Sequence, residues 1–277
     1  MHLVRKLFTL VPTTILALTT AVALHAADRD RVEAFLNVTG FDVALESIKL
    51  SAADAPAMIG LDARDFGASW TRLSNQVFDV PTMQEMGSEI LQETLSDEAL
   101  AFAAAFYASD LGQKLVAAEN ESHLANRTDK RAVGEAIVED LKANDPERIA
   151  LFDRMNRAIG SAELAMKSSN EVQIRFLTAA ANAGIIELKT DEEGLRAMQA
   201  ERAEEILASI RESSLRGAAA TYRDFTNEEI EAYAEALEDP LMQEVYELMD
   251  AVQFEIMANR FEVLAGQMRG LDPGQEL

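Results

Sequence analysis

A pattern that occurs twice, 130 residues apart, constrains the fold of this chain more than any other feature. The segment Leu95-Ser96-Asp97-Glu98-Ala99-Leu100 lies over Phe225-Thr226-Asn227-Glu228-Glu229-Ile230. Each segment begins as a helix must. Ser96 and Thr226 supply a hydroxyl for a free backbone N–H of the first turn. Asp97 and Glu98, or Glu228 and Glu229, favour the positive end of the helix dipole. Thr226 with Glu229 makes a capping box, and Leu95 and Phe225 are spaced to staple onto Leu100 and Ile230. Beyond the cap, Leu100, Ala103, Ala104 and Tyr107 answer to Ile230, Tyr233, Ala234 and Leu237, a one-faced helical spacing. Each helix then breaks and restarts, at Ser109-Asp110-Leu111-Gly112-Gln113 and Asp239-Pro240-Leu241-Met242-Gln243. Proline at a first helical position loses no hydrogen bond.

Identical pairs are few (Glu98/Glu228, Ala104/Ala234, Leu111/Leu241, Gln113/Gln243), so the repeat rests on cap, staple and restart agreeing. Asp30-Arg31-Val32 and Asp153-Arg154-Met155 form a weaker second anchor, ahead of the amphipathic runs Phe35–Leu45 and Ile159–Met166. The expected fold is all-α: two divergent helical repeats, 27–150 and 151–277, packed as a bundle or αα-array. Pro146, in Asn144-Asp145-Pro146-Glu147, suits a new helix start at the boundary. Helix-compatible patterns also cover 63–78, 82–93, 128–142, 171–183, 192–215 and 241–268. Ile185-Ile186-Glu187-Leu188 is too short to read as a strand.

Residues 1–26 read as a cleavable export signal: Arg5 and Lys6, an uncharged run from Leu7, then Ala21, Ala23 and Ala26 before charge begins at Asp28. The expectation is a periplasmic or secreted protein with no membrane span after cleavage. The formal net charge of −23, made more negative by removing Arg5 and Lys6, repels nucleic acid and anionic lipid. With no cysteine there are no disulfides and no lipid-modified cysteine. A chain of this length buries enough apolar surface without them.

At Phe106-Tyr107-Ala108-Ser109-Asp110-Leu111-Gly112-Gln113-Lys114 the sequence resembles the family called domain of unknown function 2059, whose motif reads roughly Phe-Tyr-x-Ser-Pro-x-Gly-x-Lys. Phe106, Tyr107, Ser109, Gly112 and Lys114 match, and Asp110 stands where the family has proline. The second copy keeps Pro240 but has Met242 in place of the glycine. The resemblance implies an exported bacterial helical protein with no established activity. On the residues themselves, Gly112 lets two helices approach closely, Ser109 caps the next helix, and Lys114 is a solvated or stem-packed cation.

Catalytic and cofactor signatures are not found. His123 is the one histidine left after the leader, so the usual zinc sites and a Ser-His-Asp arrangement lack partners. Glu119 and His123, four apart, share a helix face, but no second Glu-x-x-His pair accompanies them. Trp70, among Phe66, Leu73 and Phe78, reads as core. No catalytic, cofactor or metal residue is assigned. The expected function is non-catalytic binding of a protein or small-molecule partner in the envelope. The expected surface is an adaptable groove of Met242, Tyr246, Met249, Phe254, Met257 and Phe261 on the last long helix. Two alternatives stand beside it. One is a carboxylate-dependent hydrolase acting on a cell-wall or sugar substrate. The other is weak cation binding at an acidic cluster such as Glu201, Glu204 and Glu205.

Overall fold

The computed structural model describes residues 28–52, 55–160 and 162–271. The proposed leader lies outside the described residues. Among those described, every regular element is a helix, which makes the fold all-α. The first half holds α1 (Arg29–Thr39), α2 (Phe41–Ala52), the short α3 (Ala55–Met58), a 3-10 turn (Ala63–Phe66), α4 (Gly67–Val77), α5 (Val80–Thr94), α6 (Asp97–Tyr107), α7 (Asp110–Leu124) and α8 (Arg127–Asn144). The second holds α9 (Pro146–Ala158), α10 (Ala162–Asn182), α11 (Glu192–Glu201), α12 (Ala203–Thr221), α13 (Asn227–Leu237) and α14 (Pro240–Met268).

The doubled pattern folds alike in both places. α6 and α13 each run 11 residues. Ser96 Oγ accepts the Ala99 N–H and Thr226 Oγ1 the Glu229 N–H, 3.2 Å apart in both cases. One turn later Ser109 caps α7 and Asp239 caps α14. The packing also corresponds. α1 lies against α5 and α6, as α9 lies against α12 and α13. α2 lies against α5 and α7, as α10 lies against α12 and α14.

The two halves are held together by reciprocal contacts at equivalent positions. The Ser96 N–H donates to Glu244 of α14, at 3.0 Å. In the second unit Glu229 takes the Thr226 N–H itself, at 2.8 Å. Position 114, the counterpart of 244, reaches back the other way. Lys114 Nζ bonds both Glu229 carboxylate oxygens at 2.7 Å and sits 4.2 Å above the Phe225 ring. Lys114, read from the sequence as a solvated or stem-packed cation, is solvent-exposed and also cross-links the two units. The buried Phe225 ring and the part-buried Glu229 carboxylate hold an exposed cation, so the contact gains a ring attraction that an ordinary surface ion pair lacks.

α14 is the central strut. It touches α4, α5 and α6 as well as α10, and its Phe261 meets Phe78 and Phe176 edge to face at 5.2 and 5.4 Å. These three rings join both halves in one apolar core. Trp70 is part of it, 4% exposed against Phe66.

Three local expectations are corrected. The pattern over 192–215 is broken at Arg202 into α11 and α12. The runs 35–45 and 159–166 are each interrupted by a glycine, Gly40 at φ 71° and Gly160 at φ 135°, backbone geometries that a side chain disfavours. Amphipathic spacing continues across such breaks, so periodicity alone misses them.

Candidate functional site

α7 and α14, the restarted helices of the two units, line opposite sides of one cavity, α7 with its last turns and α14 with its second to fourth. Residues 119, 120 and 123 of α7 and their counterparts 249, 250 and 253 of α14 line one small cavity of about 140 Å³. Phe35, Phe41, Tyr107 and Tyr246 supply aromatic wall, and no lysine or arginine lines it. Gly40 forms part of the rim because Asn120 presses on it. A Cβ at Gly40 would stand 2.1 Å from Asn120 Oδ1. The second half repeats this contact with different chemistry. A Cβ at Gly160 would stand 3.4 Å from Asp250 Oδ2, so a carboxylate occupies the place of an amide.

Behind the cavity, all four tyrosines of the chain gather on Glu119. Tyr222 and Tyr233 donate to Glu119 Oε1 at 2.7 and 3.0 Å. Tyr233 meets Tyr246, and Tyr246 meets Tyr107, each at 2.6 Å. A tyrosine hydroxyl has one proton, so an ionised Glu119 fixes the direction of the whole chain. Tyr233 donates to Glu119, Tyr246 must donate to Tyr233, and Tyr107 must donate to Tyr246. Burial, and then the charge of Glu119, raises the pKa of Tyr107, Tyr222 and Tyr233. Tyr246 is raised by burial and then by Tyr107 and Glu119. All four stay neutral hydroxyls at neutral pH. Burial raises the Glu119 pKa, and the Tyr222 and Tyr233 hydrogen bonds oppose that rise. Glu119 Oε2 takes no hydrogen bond from a described residue and is not sealed in the interior.

The cavity opens beside a larger cleft of about 1110 Å³ that shares Tyr246, Asp250 and Gln253 with it. The cleft lies between α9–α10, α12 and α14. Its apolar wall includes Ile159, Val172, Ile210, Phe254, Met257 and Phe261. Asp250 is a solvent-exposed residue, but neighbouring protein crowds its carboxylate, and this partial desolvation raises the pKa to about 6. Among the described residues nothing pairs with it. His123 is held below its usual pKa by burial and then by Lys130. It stands at the cavity edge as an exposed residue. Glu119, His123 and Asp250 do not converge closely enough to hold a metal, and no metal-holding group forms among the described residues, Glu201, Glu204 and Glu205 included.

The residues expected to form a partner groove divide three ways. Tyr246, Phe254, Met257 and Phe261 line the cleft, while Tyr246 and Met249 line the cavity. Met242 is fully buried and part of neither. Sequence reasoning overlooked Asp250 and the convergence of the tyrosines. The available signal was the 130-residue offset itself, which sets Asp250 over Asn120.

Residues 81–140 match the model of a family described as "Uncharacterized protein conserved in bacteria (DUF2059)", the family that the Phe106–Lys114 segment resembles. The match runs from α5 into α8 and covers the first helix–break–helix unit. No curated protein and no solved structure matches the chain.

Proposed function

We propose that this is an exported, non-catalytic binding protein of the cell envelope, whose cleft along α14 receives a small molecule or a side chain of a partner. The single observation that supports this most is the cleft itself: about 1110 Å³ with an apolar wall and, lining it, the carboxylate of Asp250, which nothing pairs with among the described residues. Apolar walls with a few polar groups are the usual make-up of ligand sites. The strongly negative chain favours neutral or cationic occupants. The two halves are read as divergent repeats, with the site at their junction.

Native mass spectrometry of the protein purified gently from its host envelope tests the reading. The expected result is a chain beginning near Ala27 that carries added mass, lost on Met257→Trp, which puts an indole into the apolar wall of the cleft. A bare chain that no compound in a broad metabolite screen stabilises would overturn it.

One observation favours a second reading, a carboxylate-dependent hydrolase: Asp250 and Glu119 line adjoining cavities, and burial pushes the Asp250 carboxyl up to about 6, a range suited to a general acid. That reading requires turnover of a cell-wall or sugar substrate that Asp250→Asn abolishes.

A further inference from the structure

We propose that the cavity between α7 and α14 is a binding site for an organic ammonium group, with Glu119 and Asp250 as its counter-ions. The inference deepens the binding reading and rests on it only for the ligand's remaining bulk, which the adjoining cleft would hold.

Four features of the cavity point to this class. Among the described residues Asp250 has no hydrogen-bond or ion-pair partner, and Glu119 has one oxygen committed to Tyr222 and Tyr233 while the other takes no hydrogen bond. Two carboxylates line one cavity that, among the described residues, has no lysine or arginine on its wall, and whose imidazole, His123, is held below its usual pKa by burial and Lys130; the site is short of positive charge, which a cationic ligand supplies. The walls are aromatic: Phe35, Phe41, Tyr107 and Tyr246. Ring faces attract an alkylated ammonium at low desolvation cost, as in aromatic cages for methylated amines. The volume of about 140 Å³ suits a compact cationic head group rather than a whole metabolite. Finally, the acids do not cluster as metal ligands. They flank an aromatic space, which suits a bulky soft cation better than a small hard one.

The tyrosine chain adds polarity to the site. With every hydroxyl proton directed toward Glu119, the Tyr107 oxygen lies at the far end of the chain with a lone pair to spare. A primary or partly methylated ammonium can donate there as well as to the carboxylates. A quaternary one relies on the rings and the charges alone.

Calorimetric titration of the mature chain tests the site, with tetramethylammonium and butylammonium as probes and 3,3-dimethylbutanol as the uncharged counterpart. Both cations should bind at least tenfold more tightly than the alcohol. Asp250→Asn should weaken them at least tenfold. Glu204→Gln, which removes an exposed charge outside the cavity, should leave the affinity unchanged. Equal affinity for the alcohol would overturn the proposal, as would equal losses in Asp250→Asn and Glu204→Gln, which would mean diffuse attraction. Asp250 makes no hydrogen bond or ion pair among the described residues, so its variant should fold, and its melting curve without ligand checks this. Met257→Trp separates the two readings. Ammonium probes that bind it normally while host-derived mass is lost support the cavity independently of the cleft. Host-derived mass retained in Asp250→Asn, with no ammonium binding to the unaltered chain, sinks this inference and leaves the cleft reading standing.

Discussion

The two helix–break–helix units share caps, lengths and neighbours, yet one half is closed and the other open. In the first half Gly87 of α5 receives the ring of Phe41, where a Cβ would stand 2.7 Å from Cε1. Its counterpart 130 residues on, Gly217 of α12, has nothing within 4 Å of a Cβ position. In the first half, at the restart, Gly112 lets α7 press against the end of α6, with a Cβ position 2.3 Å from the Phe106 carbonyl oxygen. The second half has Met242 there, fully buried. Beside the glycine turns stand Asn120 in one half and Asp250 in the other. The two units thus share their backbone signals while the side chains packed around them differ, and the cleft lies along the second.

The most severe way to break the comparison is to exchange the restart residues. Gly112→Met would drive a side chain into the Phe106 carbonyl and the Tyr107 backbone. A loss of about 3 kcal/mol or more is expected in urea denaturation, at or above the usual upper range for overpacking. A loss below about 1 kcal/mol would mean the helices separate easily and the close approach is incidental. Next in size is the glycine pair. Gly87→Ala should cost about 1–3 kcal/mol through the Phe41 collision. Gly217→Ala should gain up to about 1 kcal/mol from helix propensity. Shifts of the same sign would show that the two positions share one environment.

Caps come third. Thr226→Ala and Ser96→Ala should each cost about 1 kcal/mol. Glu244→Ala should weaken the first cap from a distance, whereas the second loses its equivalent bond only when its own Glu229 is changed.

The smallest effect is one of pH. Asp250 has a folded pKa of about 6 against an ordinary 3.8, so the folded state holds a proton that the unfolded state releases. Its contribution to stability is therefore full below about pH 4 and is lost as pH rises through 6. Asp250→Asn should melt higher than the parent at pH 7.5, and the difference should vanish by pH 4. A constant offset across that range would show that Asp250 is not perturbed by its surroundings. Asn120→Asp would make the converse test in the other half.

What could be read from the sequence, and what could not, follows the range of the forces. Ser96, Thr226, Glu229, Asp239 and Pro240 act within one helical turn, so their roles are visible in a short window. The Glu192–Leu215 pattern failed because Arg202 interrupts it without a proline or glycine signal. The groove on α14 was partly legible: Tyr246, Phe254 and Met257 recur at helical spacing, but a 29-residue helix passes several different neighbours. Spacing alone does not separate the turn that buries Met242 from the one that opens Met257 to the cleft. The site depends on contacts over long separations, such as Tyr222 with Glu119 and Gly40 with Asn120. No local pattern encodes those.

The gathering of every tyrosine on one carboxylate has a spectroscopic consequence. Absorbance of phenolate near 295 nm usually averages over scattered side chains. Here the whole signal comes from one cluster of four hydroxyls, each held neutral by burial. On alkaline titration the folded chain should stay dark past pH 10, then change in one cooperative step as the cluster opens. The chain thus carries its own optical reporter, and what it reports is whether α6, α7, the end of α12, α13 and α14 are still assembled around Glu119.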